Sequence, residues 1–272
     1  MKLEFDYVIA GGGSAGCALA SRLCEDKSIT VCIVEAGGNG NNLFIKMPAG
    51  NGFVFGNPKL DWGYKSIPQK NLNNRTIYFP RGKSLGGSSI VNGMIYMRGI
   101  PSDYDSWRQL GLNGWGYSDI LPYFKKSEGS EHRNDKYHGN KGPLKIERSS
   151  NYGILEEAFI KSAVKAGHKS IDDFNGSERT GVSRLDSTVS NGVRQSSAIS
   201  YLKKKPDNLT ILTHQQISKL LINKTDVIGL ETLKGTKVYC KREVIICQGA
   251  FGTPHLLMLS GIGPADHLIE ND

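Results

Sequence analysis

The stretch Asp6-Tyr7-Val8-Ile9-Ala10-Gly11-Gly12-Gly13-Ser14-Ala15-Gly16 constrains the fold of this chain more than any other. An apolar run ends in a glycine turn that opens a helix. The spacing Gly11-x-Gly13-x-x-Gly16 supplies a tight turn, a place for backbone to approach a pyrophosphate, and close packing of helix on strand. The helix begins at Ser14 and Ala15, and its free N–H groups and positive dipole end point toward that phosphate. Ser14 to Cys24 is rich in Ala and Leu at helical spacing. Ile29 to Val34 is a β-branched run that should lie parallel to the first strand. Glu35, about 20 residues past the glycines, ends that second strand, where an acid accepts hydrogen bonds from ribose hydroxyls and repels a 2′-phosphate. Strand, turn, helix, strand and acid in this order read as a dinucleotide cradle.

The chain has 272 residues, 38% of them hydrophobic, enough for a sizeable core. Its formal charge of +8 is scattered, with Lys203-Lys204-Lys205 the densest run, so solvated surface lysines are expected rather than a nucleic-acid partner. Five cysteines form no CxxC pair and read as reduced core thiols of a cytoplasmic protein. No apolar run is long enough for an integral membrane segment.

From Gly37 to about Pro80 the pattern is irregular and reads as a long excursion. Its Phe53, Phe55, Trp62 and Tyr64 are expected to fill core. Then comes Arg81-Gly82-Lys83-Ser84-Leu85-Gly86-Gly87-Ser88-Ser89-Ile90-Val91-Asn92-Gly93-Met94, a segment able to lie flat against a planar or anionic ligand and offer it N–H and hydroxyl donors. Pro101-Ser102-Asp103 and Trp115 to Asp119 open helices, Gly142 to Ile146 starts a strand, and Leu155 to Ala166 is an amphipathic helix stopped by Gly167. Leu209 to Leu212, Ser218 to Ile222, Val227 to Leu233 and Lys237 to Cys240 read as a small antiparallel layer. Glu243 to Cys247 should follow as a buried parallel strand, with Thr253-Pro254 starting a helix.

Gly82 to Met94 together with Gly249-Ala250-Phe251-Gly252-Thr253-Pro254-His255 through Gly263 resembles the two signatures of the glucose–methanol–choline oxidoreductases, nearest to the choline- and alcohol-dehydrogenase branch. The segments Gly192 to Ala198 and Asn208 to His214 also follow that pattern. The resemblance implies an α/β fold: a Rossmann-like FAD-binding domain with an inserted partial substrate domain (α+β), truncated. The expected parts are an FAD-binding domain with flavin-lining loop at 1–145, a partial substrate-domain segment at 146–205, and a small β layer returning to the FAD-binding domain at 206–272.

It further implies that Gly11, Gly13, Ser14, Ala15 and Gly16 hold the FAD pyrophosphate, with Glu35 and Ala36 at the adenosine. Ser84, Gly87, Ser88, Asn92, Gly93, Met94 and Ile95 would line the flavin, Ile217 would meet adenine through its backbone, and Ala250 would complete the site. Some relatives link flavin covalently to a histidine; the matching position here is Val91, so non-covalent FAD is expected. No catalytic residue and no metal ligand is expected among these residues, because the family's base lies in a C-terminal half and none of the six histidines matches it. The expected activity is hydride transfer from the CH–OH group of a small alcohol to flavin, with the chain as the N-terminal part. The alternative is a non-catalytic FAD-binding remnant, or one chain of a split enzyme with a complementing C-terminal chain. Truncation should leave apolar faces uncovered.

Overall fold

A computed structural model describes residues 2–148 and 153–271. The chain divides into two compact units, Met1–Asn92 with Ser196–Asp272, and Gly93–Gln195. The expected breaks at 145/146 and 205/206 fall inside these units. Residues 128–148 belong with 186–187 because their strands pair, and helix Ser197–Leu202 packs on the first helix of the chain.

The first unit is built on a six-stranded sheet. Strand β1 (Leu3–Ala10), helix α1 (Ser14–Leu23) and strand β2 (Val31–Val34) form the expected unit, with Ile9 of β1 opposite Ile33 of β2 in parallel register. Across the sheet the order is Leu209–Leu212, β2, β1, Lys237–Ile246, Asp226–Thr232 and Ile217–Asn223. Successive side chains of a strand face opposite sides, and both strands are buried on both. Val8, Ala10, Cys32 and Val34 join Leu220, Leu230 and Leu256 on one face. Ile9, Val31 and Ile33 join Ala20, Cys24 and Leu209 on the other. Two layers of this kind require nearly unbroken apolar strands, which the sequence has.

Three expectations need correction here. Leu209–Leu212 is not part of an antiparallel layer; it pairs parallel with β2 and extends the nucleotide-binding edge. Lys237–Cys240 and Glu243–Ile246 are one continuous strand, Lys237–Ile246, whose first part pairs antiparallel with Asp226–Thr232 and whose whole length runs parallel to β1. The last long helix starts at Gly249, not at Thr253, and carries Pro254 inside it.

The excursion after β2 folds into short helical pieces around an aliphatic cluster of Ile45, Val54, Leu60, Ile90 and Val91. Its aromatics are not the core expected. Phe53 and Phe55 are exposed, Phe53 stacks on Phe44, and Trp62 stacks on Tyr64. What pins the excursion is the buried Asp61. Its Oδ2 accepts from the Gly56 N–H and the Tyr78 hydroxyl, and its Oδ1 accepts from Gly63 and Arg81 N–H. Burial pushes the Asp61 carboxyl up, but these donors outweigh it and leave the acid below its ordinary value. Its stabilisation is therefore full above the unfolded carboxylate pKa and lost as pH falls through the lower folded value. Asp61→Ala strands several donors and is expected to lower stability by about 2–4 kcal/mol, measured by urea unfolding; a change within ~0.5 kcal/mol would contradict this role.

In the second unit, helices Pro101–Gln109 and Tyr117–Ser127 start as read from the sequence, with Asp103 and Asp119 accepting from the N–H of Ile100 and Gly116. Strand Glu128–Ser130 pairs parallel with Leu144–Arg148, which pairs antiparallel with Asp186–Ser187. Helix Ile154–Lys165 forms, but none of its residues is buried, and Leu155 and Phe159 are 82% and 70% exposed. Leu155, Phe159, Ile160, Phe174, Val182 and Leu185 line an apolar groove of about 640 Å³.

Candidate cofactor site

The glycines of the first turn have different jobs, and the space around each shows which. A Cβ on Gly16 would lie 2.1 Å from the Gly11 carbonyl oxygen, so this glycine brings helix onto strand. A Cβ on Gly11, at φ 100°, would lie 2.8 Å from the Cys247 carbonyl, where the end of the long strand meets the turn. A Cβ on Gly13 would find nothing nearer than 3.7 Å, and the backbone there, φ −75° and ψ −162°, suits any residue. Protein packing does not demand a glycine at 13. What a Cβ there would fill is the approach to the start of α1, where no side chain caps the helix and no acid occupies the first turn. Ser14 and Ala15 are exposed beside it. An uncapped helix start with bare backbone is an anion cradle.

The second glycine segment closes on the first. The Gly86 N–H donates to the Gly12 carbonyl at 2.8 Å, and a Cβ on Gly87, at φ 52°, would lie 2.6 Å from the Gly13 Cα. Leu85 fills the space over Gly12, where a Cβ would meet its Cδ2 at 2.5 Å. Ser84 is buried and spends its hydroxyl on the Gly38 carbonyl at 2.9 Å, so it fixes the segment and keeps only acceptor capacity for a ligand. Ser88 and Asn92 are exposed, in and just beyond the short helical turn Gly87–Ile90.

Glu35 sits at the carboxyl end of β2, buried, with Oε2 accepting from the Gly12 N–H and Oε1 from the Gly37 N–H, each at 2.8 Å. Burial raises its pKa against the pull of these backbone donors and of Lys83. Each oxygen keeps a second lone pair for a hydroxyl. Ala36 follows, half-buried. The chain reaches Ile217 along the same edge: Gln215 N–H donates to the Glu35 carbonyl and His214 N–H to that of Gly37. Ala250 lies exposed in the first turn of the Gly249–Leu259 helix, whose start also lacks a side-chain cap.

Gly11, Gly13, Ser14, Ala15, Gly16, Glu35, Ala36, Ser84, Gly87, Ser88, Asn92, Ile217 and Ala250 thus all belong to the first unit. Gly93, Met94 and Ile95 open the second. Met94 holds a left-handed backbone at φ 62°, uncommon for so large a side chain, with its carbonyl accepting from Thr188 N–H at 2.8 Å. Asp61, which pins the excursion, was not singled out from the sequence; its signal was an acid inside the aromatic run Asp61-Trp62-Gly63-Tyr64.

A family model described as GMC oxidoreductase matches residues 5–271. The chain belongs to the GMC oxidoreductase family. Among curated relatives it is similar to the oxygen-dependent choline dehydrogenases of Rhizobium etli, 43% identical over 98% of this chain and 50% of that protein, and of Photobacterium profundum, 39% identical over 97% and 48%. It thus spans about half the length of the curated relatives it matches. Among solved structures it is similar to pyridoxine 4-oxidase from Mesorbium loti, with TM-score 0.92 and 35% identity over 97% of this chain and 53% of that one. It is also similar to an FAD-dependent oxidoreductase from Chaetomium thermophilum, with TM-score 0.90 and 31% identity over 98% and 49%. The bare cradle around Gly13 and the acid at Glu35 fit the FAD of such GMC relatives. The five cysteines are free; burial pushes the Cys17 and Cys32 thiols up to about 12, which makes them inert core groups. Among the described residues no helix is long and apolar enough to cross a membrane, and no His/Cys/Asp/Glu group could hold a metal.

Proposed function

We propose that this chain is the cofactor-holding part of an FAD-dependent oxidoreductase acting on the CH–OH group of a small alcohol, primary or choline-like. The observation that carries it is the closure of the Gly86–Gly87 segment onto Gly12 and Gly13, beside the uncapped start of α1 and the buried Glu35. The N–H groups opened by Gly11, Gly13, Ser14, Ala15 and Gly16 hold the diphosphate. Glu35, with Ala36 beside it, accepts the ribose hydroxyls, and the backbone at Ile217 meets adenine. Ser84 fixes the loop, and Gly87, Ser88, Asn92, Gly93, Met94 and Ile95 face the flavin, with Ala250 at the second helix start.

FAD, when bound, supplies the electron acceptor for a hydride from the carbinol carbon. Removal of the hydroxyl proton needs a base poised near neutral pKa, and none of these residues is assigned that role. Val91 is buried and has no nucleophilic atom, so the flavin is held without a covalent bond. A second function, as a non-catalytic FAD binder or one chain of a split enzyme, shares the same cradle; the binder has no turnover, and the split enzyme needs a complementing chain for it.

The experiment is to load the 272 residues with FAD, add choline or a primary alcohol without oxygen, and then precipitate with acid. The flavin should stay oxidised and should appear in the acid supernatant. Flavin bleached by the alcohol would contradict the assignment of the base elsewhere, and flavin left in the pellet would contradict dissociable binding.

A further inference from the structure

The second unit contains a buried charged chain that FAD binding by the cradle does not use. His138 is fully buried. Its Nδ1 lies 2.8 Å from Glu128 Oε1 and its Nε2 lies 2.8 Å from Asp173 Oδ2. Glu128 Oε2 in turn accepts from Arg98 at 2.6 Å and from the Gly139 N–H at 3.1 Å, while Asp173 Oδ1 accepts from the Asn175 N–H at 2.8 Å. Both neighbours of the imidazole are therefore carboxylates already serving as acceptors. A neutral ring has one N–H and would turn a lone pair on one of them; only the imidazolium donates to both.

The chain continues to a particular piece of backbone. Asn175, also buried, accepts from the Arg98 N–H at 2.9 Å and donates to the Tyr96 carbonyl at 3.1 Å. Arg179 donates to the carbonyls of Arg98 and Gly99. Residues 96–99 are thus held by Arg179 and by two groups joined to the carboxylates beside His138, Asn175 through Asp173 and the Arg98 side chain through Glu128, and Tyr96 N–H pairs with the Asp186 carbonyl. They follow directly on Met94 and Ile95.

We propose that His138, as a doubly donating imidazolium between Glu128 and Asp173, is a positioning residue for the segment 94–99, which includes two of the residues assigned above to the flavin; that last link rests on the FAD function. The charge balance agrees. Burial would lower the His138 pKa, but the hydrogen bonds and charges of Asp173 and Glu128 outweigh it and lift it to about 9. Against its own burial, Asp173 is held down to about 2 by His138, the Asn175 N–H and Arg133. The charged groups around the ring are Glu128, Asp173 and, one step out, Arg98 and Arg133, with Asp135 accepting the His138 backbone N–H. A histidine raised in the folded state stabilises fully below the unfolded histidine pKa, and the contribution is lost as pH rises through about 9.

The test is hydrogen exchange of the full chain, read by mass spectrometry on a peptide covering residues 93–100 and on a control peptide covering β2. His138→Gln is expected to speed exchange of 93–100 about tenfold near neutral pH, the scale of one charge-assisted hydrogen bond, and to leave the β2 peptide unchanged. The gap between wild type and variant should close between about pH 7 and about pH 10 as the wild-type ring loses its proton. Equal exchange at neutral pH, or a gap that ignores pH, overturns the proposal. If His138→Gln does not fold, Asp173→Asn and the wild-type pH profile are read instead, and a wild-type profile flat after correction for intrinsic exchange overturns it. FAD titration separates the two ideas. Wild type that fails to bind FAD sinks the FAD function while the exchange result stands; wild type and variant with equal FAD affinity sinks the link to the flavin.

Discussion

Gly13→Ala is expected to leave the fold intact and weaken FAD binding, while Gly16→Ala, three residues on, destabilises the cradle. At Gly13 the added Cβ meets no protein atom closer than 3.7 Å, and the backbone is already one that alanine adopts. Stability should therefore move by less than ~0.5 kcal/mol. The methyl would nevertheless stand where a diphosphate must approach the N–H groups of α1, so FAD affinity should drop more than about tenfold, or ~1.4 kcal/mol. At Gly16 the added Cβ would lie 2.1 Å from the Gly11 carbonyl oxygen and 3.3 Å from an Ile9 methyl. Backbone cannot yield as a flexible side chain can, so the loss should reach or exceed the upper end of the ~1–3 kcal/mol seen for overpacking. Thermal unfolding and FAD titration of both variants check this. A Gly13→Ala protein that binds FAD as wild type does would remove the reason given for that glycine.

Glu35→Ala should have the other large effect, because one side chain serves two purposes. The carboxylate terminates two buried N–H groups, those of Gly12 and Gly37, and leaving them without acceptors costs about 1–3 kcal/mol each. It is also the acceptor assigned to the ribose. Burial raises its pKa, so its charge opposes folding above the raised value, and that penalty is relieved as pH falls through it. FAD binding has the opposite sign. Hydroxyls that donate to the carboxylate favour its ionised form, so affinity should weaken as pH is lowered through the raised pKa. In Glu35→Gln the affinity should be low and independent of pH. Affinity for FAD that is flat with pH in the wild type would show that Glu35 is not the ribose acceptor.

The half of the fold that carries the cradle was legible because it depends on local signals. A buried strand, a glycine turn, a helix and a second strand ending in an acid follow one another within residues 3–35, and each piece was placed within a few residues. The misplacements share a cause in tertiary pairing. Leu209–Leu212 is too short to show whether its neighbour runs parallel. Lys241-Arg242-Glu243 interrupts the apolar pattern of the long strand because those side chains are exposed where the strand passes the end of its antiparallel neighbour. Pro254 looked like a helix start because Gly249 to Gly252 carries no capping side chain. Asp61 and His138 were missed as organisers because their partners, Tyr78 and Arg81 for one and Glu128 and Asp173 for the other, are remote in sequence. Burial of a polar group becomes visible only when the chain has folded around it.

Equilibrium titration of the chain with FAD and, separately, with NAD, followed by flavin and tryptophan fluorescence, tests most directly whether the two glycine segments enclose one flavin dinucleotide. Saturable binding of a single FAD, with NAD binding more than about tenfold weaker, is the predicted result. No saturation with FAD, or NAD bound as tightly, would contradict it.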